Sequence, residues 1–234
     1  MDWYHRLYEG REAFDDLEEE QAYRERQKAL TRPEAEALCR LLGLPNGSGV
    51  LDAFCGNGRH ATALAARGFE AVGLDTSFSR IAFAQRWARD EGLSAAFVVG
   101  DARAIPLRGP FDAVLILGGS FSHCLDWGEN IALLRGLRDL LVPGGLLLID
   151  NPNPLRFWRV QNPTASAAER AALPYYDLPL GTKHAAGFVR YYCPQGMSRL
   201  FEDAGLKITR IHGDRAGESY SPDSPRMVTM GVVR

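Results

Sequence analysis

Short apolar runs alternate with segments of helical spacing through most of this chain. Thr31-Arg32-Pro33 reads as a helix start, and Ala35, Leu38, Leu41 and Leu42 follow at helical intervals; the charged stretch 11–29 before it has weak helical periodicity. Residues 1–45 are therefore expected to form a helical preface. The apolar run 50–54 predicts a buried strand entering Cys55-Gly56-Asn57-Gly58, with a helix after it that turns Ala61, Leu64 and Ala65 inward. Strands at 69–74, 96–99, 111–117 and 146–149, separated by helices at 78–90 and 129–141, repeat the pattern. This alternation predicts an α/β, doubly wound, mostly parallel sheet covered on both faces.

From 151 to 193 the rhythm stops. Prolines at 152, 154, 163, 174 and 179 and the pairs Tyr175-Tyr176 and Tyr191-Tyr192 suggest an insertion of irregular backbone that covers a site. A helix at 194–204 and strands at 206–211 and 227–233 complete the chain. The expected organisation is one domain: helical lid 1–45, core 46–150, substrate-covering insertion 151–193, and a closing helix and strand hairpin 194–234.

The 234 residues, 46% hydrophobic and 24% charged, exclude a disordered or fibrous protein. With 27 Lys and Arg against 29 Asp and Glu, the net charge of −2 leaves no positive field to attract nucleic acid. Cysteines at 39, 55, 124 and 193 form no CxxC pair, so neither a zinc site nor a disulfide framework is expected. His60 lies within the helix after the glycine loop and is expected to pack or hydrogen-bond locally; with no histidine at ligand spacing, no metal is expected. No apolar run approaches the length needed to cross a bilayer, and the first residues lack a signal-peptide core. A cytoplasmic location is expected, with a monomer or homodimer left open.

The candidate chemistry starts at the glycine loop. Gly56-Asn57-Gly58-Arg59-His60-Ala61 fits G-x-G-x-x-A between strand and helix, where glycines let a ligand approach the backbone. Asp75 ends the second strand, placed to accept from ribose hydroxyls, and Asp101 ends the third, placed to meet an adenine amino group. Either aspartate alone could instead cap a helix or form a turn. Asp52 at the mouth of the loop would repel a pyrophosphate and suits a ligand carrying an ammonium and a sulfonium. The Tyr-x-x-x-Lys pair of short-chain dehydrogenases is missing, since Arg24, Pro179 and Asp203 precede the three lysines by four.

Together, Val50-Leu51-Asp52-Ala53-Phe54-Cys55-Gly56-Asn57-Gly58, Gly73-Leu74-Asp75, Gly100-Asp101-Ala102, Phe111-Asp112-Ala113-Val114 and Leu141-Val142-Pro143-Gly144-Gly145 resemble the class I S-adenosylmethionine-dependent methyltransferases. The resemblance covers 34–150 and, more loosely, the tail. It implies a seven-stranded Rossmann-like sheet with its last strand antiparallel, S-adenosylmethionine as cofactor and S-adenosylhomocysteine as product. It also implies that Asp52, Gly56 and Gly58, with the backbone of Phe54 and Cys55, line the methionine end. Asp75 would take the ribose, Thr76 would flank the adenine or cap the next helix, Asp101 and Ala102 would take the adenine, and Leu117 and Gly118 would face the sulfonium.

Gly118-Gly119-Ser120-Phe121-Ser122-His123 is similar to the Gly-Asn-Ser-Phe-x-His loop of glycine N-methyltransferases, with Gly119 standing where that family has Asn. The implied acceptor is a small molecule methylated on nitrogen or oxygen by in-line displacement. The candidate catalytic residues are His123, as a base for a hydroxyl acceptor, Ser120 and Tyr4. Tyr4 and Tyr8, four apart, are expected to form a lid or to anchor the first helix. Substrate-binding candidates are Tyr8, Gly119, Asn151, Arg156 and Tyr191; Arg156 and Arg190 suit an anionic acceptor group. Alternatives of the same superfamily act on RNA or a protein side chain, and a further alternative is a nucleoside-binding module without catalysis.

Overall fold

The computed structural model of the protein describes residues 17–123, 126–166, 168–169, 172–181 and 186–233. Helix α1 (Leu17–Leu42) leads into β1 (Gly49–Ala53), α2 (Arg59–Ala65), β2 (Glu70–Asp75), α3 (Phe78–Asp90), β3 (Ala96–Val99) and β4 (Phe111–Ile116). A 3-10 turn at Ser120–His123 precedes α4 (Trp127–Arg138) and β5 (Leu141–Pro152). Then come α5 (Pro154–Gln161), β6 (Tyr175–Gly181), β7 (Ala186–Tyr192), α6 (Pro194–Asp203), β8 (Leu206–His212) and β9 (Arg226–Val233).

Seven strands pair in the order β3-β2-β1-β4-β5-β9-β8, and β9 runs antiparallel to both of its neighbours. This is the predicted doubly wound sheet. Its order reverses between β1 and β4, so the carboxyl ends of those two strands open a crevice where such sheets bind ligands. Side chains alternate across the strands and feed two cores. On β1, Leu51 and Ala53 pack on the face that carries α4 and α6, while Val50 packs on the face that carries α1, α2 and α3. Asp52 shares the face of Val50, and on β5 Asp150 shares the face of Leu148, so both carboxylates point toward α1 and α2.

The expected helix start at Thr31-Arg32-Pro33 is overturned, because α1 continues through Pro33. Proline removes one backbone bond from a helix interior. Tertiary contacts outweigh it: Ala35 and Leu38 are buried without exposure, and Arg24 and Lys28 pair with Asp90 and Glu91 at the end of α3. The prediction of irregular backbone in the insertion is also overturned. Asn153 caps α5, with Pro154 in its first turn, and the two tyrosine pairs zip a hairpin, Tyr175 opposite Tyr192 and Tyr176 opposite Tyr191. Pro154 starts α5, Pro152 ends β5, Pro174 precedes β6, and Pro179 sits within β6 opposite Phe188 in a two-stranded ribbon, where proline is tolerated; aromatic residues favour the pleated surface. Strand β5 is longer than 146–149, running on both sides of that core through a left-handed Gly144. Tyr4 and Tyr8 lie outside the described residues. No described helix is long and apolar enough to cross a membrane.

Candidate active site

The glycine loop is held from below and behind. Asp75, at the tip of β2, accepts the Gly56 N–H through Oδ2 at 2.8 Å and the Ser77 N–H through Oδ1 at 2.9 Å. Ser77 caps α3 by accepting from Arg80 N–H, so the capping alternative for Thr76 falls to its neighbour. Phe54 takes a left-handed φ of 65°, a strained conformation for an aromatic residue, as the chain turns out of β1. Gly58, at φ 77°, has no room for a side chain: a Cβ would lie 2.6 Å from both Ala84 and the Phe97 ring. Its smallness thus serves the packing of α2 on α3. Gly56 and Gly118, by contrast, are open. A Cβ on Gly56 would meet only the Arg80 guanidinium, at 3.5 Å, and one on Gly118 would meet nothing within 4 Å among the described residues.

Asp52, near the carboxyl end of β1 and opposite Leu115 of β4, is buried. Among the described residues its Oδ2 has no hydrogen-bond partner. Burial pushes its carboxyl up to about 7; Asp75 adds to the rise, and the guanidiniums of Arg59 and Arg215 oppose it. A buried carboxyl with an unfilled oxygen carries an unsatisfied polar atom, which a hydrogen-bond donor would relieve. Cys55 is buried beside it, and burial with the charges of Asp52 and Asp75 keeps its thiol protonated. Asp101 forms a turn: its Oδ1 accepts the Arg103 N–H at 2.9 Å and its carboxylate pairs with the Arg103 guanidinium at 2.7 Å. Ala102 is buried in the core beneath that turn.

Beyond β4 the chain turns sharply through Leu117, Gly118 and Gly119, the last two with φ of 70° and 85°. Gly119 donates to the Asp150 carbonyl at 3.0 Å, and Ser120 Oγ donates to the Leu117 carbonyl at 3.0 Å. That bond commits the Ser120 proton to the turn. Phe121 is buried against Tyr192, with ring centroids 5.8 Å apart, and Tyr192 also meets Trp127 at 5.6 Å and accepts from Asn130 Nδ2 at 3.0 Å. Tyr191 reaches over the loop from β7: a Cβ on Gly119 would lie 3.6 Å from its ring and hydroxyl. Its other side stacks on Phe157 at 6.2 Å. Half-buried His123 ends the 3-10 turn, and burial lowers its pKa, so the ring is neutral near pH 7. Asn151 is buried, and neither atom of its amide has a partner among the described residues.

Of the two expected anion binders, one is already paired. Arg190 is bound by two nitrogens to Asp177, at 2.7 and 2.6 Å, and lies over the Tyr175 ring, so its fork is spent. Arg156 is exposed on α5. The local role expected of His60 is also corrected. It bonds Glu34 of α1 at 3.0 Å, across 26 residues, and burial lowers its pKa to about 4. Sequence reasoning missed the ionic group around it. Glu34 also receives Arg59 and Arg215, and Arg215 and Arg226 both pair with the fully buried Asp150. Burial alone would raise the Glu34 carboxyl, but His60, Arg59 and Arg215 hold it far below the usual carboxylate range. Tyr23 of α1 accepts from Asn57 in the glycine loop, a second contact with no local sequence signal.

Residues 50–145 match the family model described as a methyltransferase domain. Over 199 residues the chain is 31% identical to a ubiquinone biosynthesis O-methyltransferase of Dinoroseobacter shibae, covering 82% of this chain and 73% of that one. The chain belongs to the S-adenosylmethionine-dependent methyltransferases. This methyltransferase is also 28% identical to the cypemycin N-terminal methyltransferase of a Streptomyces species over 205 residues, 79% of this chain and 83% of the relative. It is 34% identical to the glycine N-methyltransferase of Rattus norvegicus over 135 residues, 51% of this chain, and spans about half (46%) of that relative's length. Among solved structures, the glycopeptide N-methyltransferase MtfA in complex with S-adenosylhomocysteine superposes with a TM-score of 0.65 at 20% identity, covering 87% of this chain and 90% of that one. The fold and the methyltransferase family expected from the motifs are thereby borne out.

Proposed function

We propose that this methyltransferase methylates a nitrogen or oxygen of a small-molecule acceptor by in-line displacement. The observation that carries this reading is the fastening of the insertion onto the loop after β4. Tyr192 is wedged against Phe121 and Trp127 and bonded to Asn130, and Tyr191 overhangs Gly119. An acceptor must reach the crevice beneath that cover, which favours a small molecule over a folded macromolecule.

On this reading Asp52, Gly56 and Gly58, with the backbone of Phe54 and Cys55, hold the methionine end, and the unpartnered Asp52 oxygen receives a positive charge. Asp75 keeps lone pairs for the ribose hydroxyls after bonding two amides, and Thr76, Asp101 and Ala102 border the adenine. Leu117 and Gly118 flank the sulfur. The cofactor supplies a methyl group on a sulfonium, so alignment within roughly 3–3.5 Å contributes more than acid–base help. Neutral His123, on this reading, takes the proton of a hydroxyl acceptor. Ser120 accepts rather than donates, since its proton is committed. The Asn151 amide offers a buried donor and acceptor to the substrate, with Gly119 and Tyr191 shaping the space. Where the glycine-methylating family places an Asn, this chain brings the Tyr191 ring, which supports an acceptor other than glycine.

Incubation with methyl-labelled S-adenosylmethionine and panels of small amines, phenols and hydroxy acids, beside tRNA and protein, tests the proposal. Label is expected in a small-molecule product. Label found in macromolecules alone overturns it.

A further inference from the structure

Arg215 lies in the connection between β8 and β9, far in sequence from both loops of the crevice, yet its nearly buried side chain joins them. Its Nε meets Asp150 Oδ2 at 2.7 Å with Nη2 on the same oxygen, while Nη1 reaches Glu34 on α1. Each of these two acidic residues is in turn fixed to one wall of the crevice, Glu34 through its carboxylate and Asp150 through its backbone. Glu34 holds Arg59 and His60, the first two residues of α2, immediately after the glycine loop. Asp150 accepts the Gly119 N–H through its own carbonyl and so holds the start of the loop after β4. Arg226 touches this assembly only at Asp150, and Arg59 touches it only at Glu34 among the contacts described.

We propose that Arg215 is a positioning residue for methyl transfer, a two-armed clasp that couples the glycine loop to the loop after β4. The inference rests on the assignment of those loops to cofactor and acceptor. One guanidinium can serve both carboxylates because its donors diverge in a rigid fork, which a lysine ammonium cannot reproduce. Such a clasp has the greatest effect on a reaction limited by alignment, in which small misplacements of donor and acceptor are costly.

Hydrogen–deuterium exchange on the full chain, with and without saturating S-adenosylhomocysteine, tests the coupling. In the unaltered protein the ligand is expected to slow exchange in both 55–60 and 117–123. In Arg215→Gln, exchange without ligand should rise by about tenfold in both segments, and the ligand should protect 55–60 but no longer 117–123. Arg226→Gln should loosen 117–123 alone. Arg215→Lys keeps the charge and one ion pair, so it secures a folded comparison, and it too should lose the transmission. Ligand protection of 117–123 that survives in Arg215→Lys overturns the inference while leaving the cofactor assignment intact. Failure of the ligand to protect 55–60 in the unaltered protein overturns the assignment itself.

Discussion

The Asp75 carboxylate accepts the main-chain N–H of Gly56 at 2.8 Å, across 19 residues of sequence. The residue assigned to the ribose is therefore also the clamp that sets the curvature of the glycine loop. Asp75→Ala should remove two charge-assisted bonds inside the protein, from the Gly56 and Ser77 amides, together with those proposed to the nucleoside. Calorimetry with S-adenosylhomocysteine should show affinity falling on the order of 100-fold or more, since each such bond contributes about 1.5–3 kcal/mol. Asp75→Asn keeps one acceptor oxygen and should fall between the two.

Asp52 combines opposite effects of pH on stability and on binding. Its carboxyl lies at about 7 in the folded protein against an ordinary value of 3.8. Because the folded value is raised, its contribution to stability is fully present below the ordinary value and is lost as pH rises through about 7. Without ligand, Asp52→Asn should melt above the unaltered protein at pH 8.5, by up to the order of 4 kcal/mol, and level with it at pH 4. Binding runs the other way, because the ionised carboxylate is the form that attracts a cation. S-adenosylmethionine affinity should strengthen from pH 6 to pH 8 in the unaltered protein and stay weak and flat in Asp52→Asn.

How much of this was legible follows from how local each signal is. Asp52 and Asp75 at strand ends and Asp101 just past β3 were readable because each follows an apolar run that can only be a buried strand, and the glycine spacing marks the loop between. Helix α3 and strand β3 coincide with their predicted limits for the same reason. The hairpin 175–192 was hidden because prolines obscured the alternation of its tyrosines. The continuation of α1 through Pro33 was hidden because the stabilising partners lie on another helix. The Glu34–Arg215–Asp150–Arg226 assembly was not legible: its bonds to Asp150 span 65 and 76 residues, and Glu34, Arg215 and Arg226 each read alone as a surface charge.

His123 is half-buried at the end of the 3-10 turn, and burial lowers its pKa below the ordinary 6.5. If it takes the acceptor's proton, the acid limb of kcat against pH should lie below 6.5, because the ring is lost as a base only when it is protonated. His123→Ala should then lower kcat by roughly 10²–10⁴ while S-adenosylhomocysteine affinity is unchanged. An undiminished kcat in His123→Ala, measured with the identified acceptor, would remove the residue from the chemistry.

Tyr192 gives the corresponding test of the cover. Its ring fills the junction of the insertion with the loop after β4, and its hydroxyl receives one N–H of the fully buried Asn130, whose amide also donates to the Asp126 carbonyl at 2.8 Å. Tyr192→Phe keeps the ring contacts with Phe121, Trp127 and Tyr175 but removes the hydroxyl that accepts from Asn130, at a cost of about 1–3 kcal/mol. The loss falls on the junction of the insertion with the loop after β4. Acceptor KM should therefore rise while the affinity for S-adenosylhomocysteine holds. Equal weakening of both would mean that the insertion supports the whole crevice and not its acceptor side.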